Sequence, residues 1–344
     1  RVVEVGGTLS GEHGIGNDKA AYMPMVFGKE TLKLQLAVPA AFNPRHQLNP
    51  LKVFGGRRFA GAKVTRDMVA SVPFQDTAEK AASGKSTDTG SRLFVPFLDS
   101  IDGVACVSAS TTALELRSLL ETHQLRFPLI VDSLAPLSDQ VLSSEYAPAS
   151  SRFGPFCDNI VGMNWKLPDG RVVRIGERVV KSTTGYDLLR FLLLSDCRFG
   201  QPLDFVLRLR PDCGIHGIFS LSGDAESITR AMPALLQSCW MNWFDSVDVV
   251  VDGVARSLEL RIAVNTPADE WPVFESMLTA FAATYRLSAK GQLNMAAPID
   301  GCPDFVLKTT PDRALAMGRD IANEHRVKSV VLCYNGVVHV YVSG

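Results

Sequence analysis

The 344-residue chain lacks any pair of cysteines at the two-residue spacing that zinc and iron–sulfur sites use. Its seven cysteines are scattered along the sequence, at Cys106, Cys157, Cys197, Cys213, Cys239, Cys302 and Cys333. Neither kind of site is therefore encoded, and electrons leaving a redox reaction in this system would need another chain to carry them. Scattered cysteines in odd number also suit a reducing compartment, so we expect a cytoplasmic protein.

Long apolar runs and an excess of charge of one sign are missing as well. No run of about 18 apolar residues occurs, which predicts that no helix spans a membrane. The formal net charge is −1, with 35 Lys and Arg against 36 Asp and Glu, which argues against a surface for nucleic acids or acidic lipids. The chain opens on Arg1 and not on Met, so we expect a truncated product that carries no signal peptide.

Composition divides the chain into stretches of different character. Residues 1–54 are dense and structured, whereas residues 55–92 become poor in large apolar groups and predict a linker. Regular patterns return at 93–212. Beyond Pro211 strands and helices are mixed in a new pattern, so residues 213–344 predict a separate α+β domain.

Local patterns predict several elements. Thr112-Ala113-Leu114-Glu115 is a capping box that opens a helix to about His123. Residues 159–167 and 171–175 flank Asp169-Gly170 and predict a hairpin. Residues 204–210 alternate in polarity, which predicts a half-buried strand. Further elements are expected near 30–42, where Pro39 should kink a helix, and at 104–110, 258–264, 274–281, 310–321 and 330–342.

The first candidate site is Gly11-Glu12-His13-Gly14-Ile15-Gly16. Glycines let the backbone turn sharply and approach a flat ligand closely. His13 can act as a base near neutral pH, and Glu12 could orient the ring or bind a metal. The alternative is a glycine-rich turn with an incidental histidine.

The second candidate site is Val179-Val180-Lys181-Ser182-Thr183-Thr184-Gly185-Tyr186-Asp187-Leu188. The pattern is that of a strand end, a polar turn and a helix start. Thr183 or Thr184 could cap the helix, and Asp187 would sit favourably in its first turn. An ordinary strand–loop–helix junction is the alternative.

Residues 1–54 closely resemble the C-terminus of the glycolate oxidase and D-lactate dehydrogenase family of FAD-linked oxidases. The resemblance rests on the motifs at 6–16, 22–23, 27–28, 42–44 and 48–53. It implies that His13 sits at the flavin face and takes the hydroxyl proton of a 2-hydroxy acid. It also implies that Glu12 ligates a divalent metal in those relatives that have one, together with histidines of an upstream motif that this sequence lacks.

The motifs at 158–162, 168–170, 179–188 and 207–211 resemble the FAD-binding domain of vanillyl-alcohol-oxidase (VAO/PCMH) flavoproteins, in the partner subunit of glycolate oxidase. The resemblance implies that Ile160 lies against the adenine end of FAD. It also implies that the flavin side is held by Lys181, Gly185, Tyr186 and Asp187. Residues 104–153 contain no glycine, although relatives use a Gly-Gly pair there to reach the phosphates. A glycine-rich turn of the family is also replaced by Ser195-Asp196-Cys197-Arg198-Phe199-Gly200.

We therefore expect an α+β protein with a truncated, degenerate VAO/PCMH-type FAD-binding domain at 93–212 and a cap-like domain at 213–344. It would form part of a complex that oxidises a small 2-hydroxy acid, alongside a catalytic flavoprotein subunit and an iron–sulfur acceptor subunit. The complex would be cytoplasmic or peripheral at the inner membrane, and the isolated chain would not turn over. The alternative is a non-catalytic scaffold subunit that no longer binds FAD.

Overall fold

The structure is a computed structural model, and it describes residues 2–5, 7–43, 45, 47, 52–53, 93–130, 134–143, 147, 149–253, 257–293, 304–323, 327–333 and 337–342. The predicted linker at 55–92 lies outside these residues. Contacts group the chain into two compact units: Arg1–Ser110 with Ile160–Arg208 (unit 1), and Thr111–Asn159 with Leu209–Gly344 (unit 2). The domain boundaries drawn from the sequence stay predictions.

The α-helices of the described residues are α1 Met23–Val26, α2 Lys29–Phe42, α3 Ala113–Glu121, α4 Leu137–Ser143, α5 Ser150–Phe153, α6 Phe156–Asn159, α7 Leu188–Leu193, α8 Ala225–Leu236, α9 Trp271–Thr284 and α10 Pro311–Ala322. The strands are β1 Phe97–Asp99, β2 Val104–Ser108, β3 Leu125–Arg126, β4 Ile160–Lys166, β5 Val172–Gly176, β6 Gln201–Arg208, β7 Arg210–Pro211, β8 Ile215–Gly223, β9 Phe244–Asp252, β10 Leu258–Thr266, β11 Ser288–Leu293, β12 Phe305–Lys308, β13 Val327–Cys333 and β14 Val337–Val342.

Unit 1 contains an antiparallel sheet in the order β1-β2-β6-β4-β5. The hairpin expected around Asp169-Gly170 is confirmed as β4 and β5. The strand predicted at 204–210 is present as part of β6, but the expectation that it is half-buried is wrong. Successive side chains of a strand point to opposite faces, yet Phe205, Val206 and Leu207 of β6 are all 0% exposed. Both faces of the central strand are therefore covered.

The N-terminal segment of unit 1 has a small apolar core of its own. Its buried residues are Ile15, Ala20, Met23, Val26, Phe27 and Leu32. The predicted helix is confirmed as α2, which continues through Pro39. The side chains that α2 buries most deeply include two polar ones, Thr31 and Gln35, and this polar face decides how the segment docks.

Unit 2 contains an antiparallel sheet in the order β11-β8-β10-β9-β13-β14-β12. Apolar residues of α8, α9 and α10 and of one face of this sheet form a single core. The strands and helices predicted near 258–264, 274–281, 310–321 and 330–342 are confirmed as β10, α9, α10 and the β13–β14 pair. The capping box at Thr112 is present, with Ala113, Leu116 and Leu120 buried on α3 as expected.

Candidate active site

Unit 1 brings the two sequence-predicted sites together. We name residues 10–16 the histidine loop and residues 181–187 the support loop. The backbone N–H of Thr183 donates to the carbonyl of Ser10 at 2.9 Å. The N–H of Gly14 donates to the Thr183 hydroxyl at 3.2 Å. These bonds hold the histidine loop from both sides of His13.

A cluster of hydroxyl groups joins the same loops. Thr8 and Thr184 share a hydrogen bond of 2.6 Å between their hydroxyl oxygens, and the N–H of Ser10 donates to the Thr184 hydroxyl at 3.2 Å. The Thr183 hydroxyl lies 3.2 Å from that of Ser10. Ser10 and Thr184 are 4% and 7% exposed, so water does not compete well for these bonds.

The expectation that Thr183 or Thr184 caps the following helix is wrong. Both hydroxyls are engaged by the N-terminal segment, and Asp187 is the N-cap of α7, accepting from the N–H of Arg190 at 3.2 Å. Asp187 therefore has a local structural role that explains its presence.

Gln35 of α2 holds the support loop at Tyr186, a contact that the sequence analysis missed. The Gln35 side chain accepts from the N–H of Tyr186 at 2.7 Å and donates to its carbonyl at 3.0 Å. One turn earlier, the Thr31 hydroxyl donates to the carbonyl of Arg174 at 2.8 Å. The available signal was a pair of uncharged polar residues four positions apart, which lie on one face of the helix.

Gly185 is required by this packing. Its φ of +85° is unfavourable for other residues, and an added Cβ would lie 2.9 Å from Oε1 of Gln35. The position therefore has a structural explanation that needs no ligand. Within the support loop, the Lys181 side chain is 64% exposed and Tyr186 is 39% exposed.

Glu12 pairs with a cation from the support loop. Nζ of Lys181 lies 2.5 Å from Oε1 of Glu12, and the two side chains are 64% and 69% exposed. Among the described residues no group of three or more His, Cys, Asp or Glu side chains could hold a metal ion. The metal role of Glu12 stays a prediction, and in this structure its negative charge is balanced by Lys181.

His13 lies at the exposed tip of the histidine loop. Its imidazole makes no hydrogen bond with any residue that the structure describes, so both ring nitrogens are available. Gly14 and Gly16 adopt φ values of +73° and +57°, and a Cβ added at Gly11, Gly14 or Gly16 would meet nothing within 4 Å. This open face next to a histidine fits the edge of a planar group such as a flavin ring.

The described residues do not fit the diphosphate of FAD. Residues 104–153, where the resemblance leads us to expect a Gly-Gly pair, include α3, α4 and α5 in their described part, and Asp139 is exposed there. In the turn at 195–200, Asp196 and Cys197 hold φ values of +49° and +56°, although they are not glycines. These are left-handed conformations that favour glycine, so the two residues are strained there. Ile160 begins β4 and is 3% exposed, so it is a core residue, and its adenine contact stays a prediction.

Comparison with known proteins identifies the N-terminal segment. Residues 1–53 match the family model of FAD linked oxidases, C-terminal domain. The chain is 48% identical over 54 residues to glycolate oxidase subunit GlcD of Bacillus subtilis, covering 16% of this chain and 12% of that protein. It is 33% identical over 155 residues to mitochondrial D-lactate dehydrogenase [cytochrome] of Arabidopsis thaliana, covering 44% of this chain and 27% of that protein. The resemblance found in the sequence is confirmed.

The fold also has a relative among solved structures. Alkyldihydroxyacetonephosphate synthase superposes with a TM-score of 0.52 at 10% identity, covering 72% of this chain and 58% of the synthase. This confirms the mixed α and β class and a fold of the vanillyl-alcohol-oxidase type. The chain thus spans about an eighth to a quarter of the two curated relatives above. No helix within the described ranges combines the length and apolarity that crossing a membrane requires.

Proposed function

Because residues 1–53 belong to the family of FAD-linked oxidases, we propose that this chain contributes the catalytic base for the oxidation of a small 2-hydroxy acid to a 2-oxo acid. The observation that carries the proposal is the histidine loop. His13 stands exposed and without a hydrogen-bond partner among the described residues, while the backbone on both sides of it is held by the support loop.

The chemistry divides between the chain and its cofactor. FAD, when bound, supplies the acceptor for the hydride that leaves C2 of the hydroxy acid. His13 takes the proton of the C2 hydroxyl onto an imidazole nitrogen. A neutral imidazole is an effective base near pH 7. Since Lys181 and Tyr186 are exposed on the support loop, we assign the flavin-side contacts to these two residues.

The diphosphate of FAD requires donors that the described part of the chain does not offer. We propose that a catalytic flavoprotein subunit supplies them and that an iron–sulfur subunit receives the electrons. Under this proposal the isolated chain binds FAD weakly and does not oxidise glycolate or D-lactate.

The test compares two histidine variants in the assembled complex. Tagged full-length chain is recovered together with its partner subunits, and dye reduction with glycolate and with D-lactate is measured beside flavin content. We expect His13→Asn to lower kcat by about 100-fold or more, the usual contribution of a positioned base, with flavin content unchanged. His123→Asn is the matched control, because His123 is exposed and lies at the end of α3. Turnover of the His13→Asn complex at the wild-type rate contradicts the proposal.

A non-catalytic scaffold is the second candidate function, and the glycine-free stretch 104–153 favours it. A scaffold chain would be needed for the complex to assemble, yet His13→Asn would leave kcat unchanged. The same experiment therefore separates the two functions, since each predicts a different kcat for one variant.

A further inference from the structure

Unit 2 contains a cleft that none of the predicted site residues lines. Its volume is about 470 Å³, within the range of roughly 300–1,000 Å³ typical of small-molecule sites. One wall is a face of α3, which presents Arg117, Leu120 and Glu121. The other wall consists of the start of β8 and parts of β9 and β10. The cleft lies wholly within unit 2.

A histidine held by a carboxylate faces this cleft. Nε2 of His216 lies 3.0 Å from Oδ2 of Asp212. Asp212 also accepts from the N–H of Gly214 at 2.9 Å and from the side chain of Asn265 at 3.0 Å. Burial alone would raise the pKa of Asp212, but the hydrogen bonds from His216, Gly214 and Asn265 hold it well below its usual range.

The ionised Asp212 can only accept, so Nε2 of His216 carries a proton. In the neutral ring Nδ1 is then an acceptor, and no described residue donates to it. The side chain of His216 is 26% exposed, so the ring is reachable from the cleft. The arrangement presents one fixed acceptor to a ligand hydroxyl.

Two charged groups on α3, Arg117 and Glu121, lie exposed at the rim of the cleft, and an ion pair lies inside it. Arg126 is bound through both of its terminal nitrogens to the carboxylate of Asp245, so this cation is satisfied. Arg117 is exposed and forms no ion pair among the described residues. Half-buried apolar groups, Pro128, Ile130 and Ala263, lie between the rim and the sheet. The cleft therefore combines a free cation, an oriented acceptor and an apolar wall.

We propose that this cleft binds a monocarboxylic acid that carries a hydroxyl group and an apolar chain. The carboxylate binds Arg117, the hydroxyl donates to Nδ1 of His216, and the chain lies along the apolar wall. This ligand site goes beyond the proposed function and does not depend on His13.

The test is calorimetric titration of the full-length chain with 2-hydroxyoctanoate and with octanoate. Arg117→Ala should weaken the binding of both acids at least about tenfold, as expected for a lost charge-assisted contact. Arg230→Ala is the matched control, since Arg230 is an exposed arginine on α8 of the same unit and does not line the cleft. His216→Gln should abolish the preference for the hydroxylated acid. Each methylene removed from the chain should weaken binding by roughly three- to fourfold, equivalent to about 0.8 kcal/mol.

Several outcomes overturn the proposal. One is the absence of binding at millimolar acid, and another is equal affinity in wild type and Arg117→Ala. If His13→Asn removes the binding and Arg117→Ala does not, the acid occupies the histidine loop, so the cleft proposal fails while the proposed function stands. His216 lies at the start of β8, so thermal unfolding of His216→Gln is recorded in parallel, and Arg117→Ala decides the question if that variant unfolds.

Discussion

Replacing Gln35 with Met tests whether α2 holds the support loop. Gln35 is 2% exposed and binds both backbone groups of Tyr186, at 2.7 Å and 3.0 Å. Methionine has a similar volume and helix propensity, so α2 should still form. The substitution removes the two hydrogen bonds and little else.

The expected loss follows from what remains after the change. The carbonyl of Tyr186 still accepts from the N–H of Leu188 at 2.9 Å, so it keeps a hydrogen-bond partner. The N–H of Tyr186 loses the partner it has in Gln35, which costs about 1–3 kcal/mol for a buried donor. Because Tyr186 is 39% exposed, water can partly replace the glutamine. We therefore expect a local destabilisation of about 2 kcal/mol, equivalent to roughly 30-fold.

Hydrogen exchange measured by mass spectrometry reads this change directly. In the Gln35→Met variant, the peptide that contains Tyr186 should exchange roughly 30-fold faster, while peptides of unit 2 should not change. Thr31→Val is the control. It removes the bond to the carbonyl of Arg174 and should affect β5 by about 1 kcal/mol without altering exchange at Tyr186. An unchanged rate at Tyr186 in Gln35→Met would refute the idea that α2 supports this loop.

Two further substitutions probe unit 1. Gly185→Ala should destabilise unit 1 by about 2 kcal/mol, and Gly170→Ala by about 1 kcal/mol. Both glycines have φ near +85°, but only at Gly185 would an added Cβ meet Gln35, at 2.9 Å. Equal losses of stability in urea unfolding would contradict a role for this contact. Burial raises the pKa of Glu177 to about 7 from its ordinary 4.5, against the lowering by Arg174. The folded state then keeps a proton that the unfolded state has released, so stability should fall as pH rises from 4.5 to about 7. Glu177→Gln should flatten this dependence, and an unchanged slope in unfolding from pH 5 to pH 8 would show that Glu177 is not its source.

Features decided by neighbouring residues could be predicted from the sequence. The capping box at Thr112 needs only Thr112 and Glu115, and the hairpin between β4 and β5 needs only its Asp169-Gly170 turn with alternating flanks. Both are present in the structure. The histidine loop and the support loop were likewise found as motifs, because their residue types are unusual at those spacings.

Features decided by distant residues could not be predicted. Thr183 looked like a helix cap because caps are local, but its hydroxyl is engaged by Ser10, which is 173 positions away. The alternation in β6 suggested that one face of the strand is exposed. Periodicity within a strand does not indicate which other segments pack on its two faces. Gln35 looked like an ordinary helix residue until Tyr186 was placed beside it. In each case a long-range partner overrode the local pattern.

The bonds that dock the N-terminal segment explain how His13 can be positioned without the glycines that the resemblance leads us to expect at 104–153. Several of them end on backbone atoms, at Ser10, Gly14, Arg174 and Tyr186, so they depend on the path of the chain more than on side-chain identity. A one-residue slip of the segment would leave these buried groups unpaired, at about 1–3 kcal/mol each, so the register is strongly specified. None of these bonds involves residues 104–153, where the glycines are missing. Under the proposed function, the residues that position His13 differ from those expected to hold the diphosphate, so His13 stays positioned even where the expected glycines are absent.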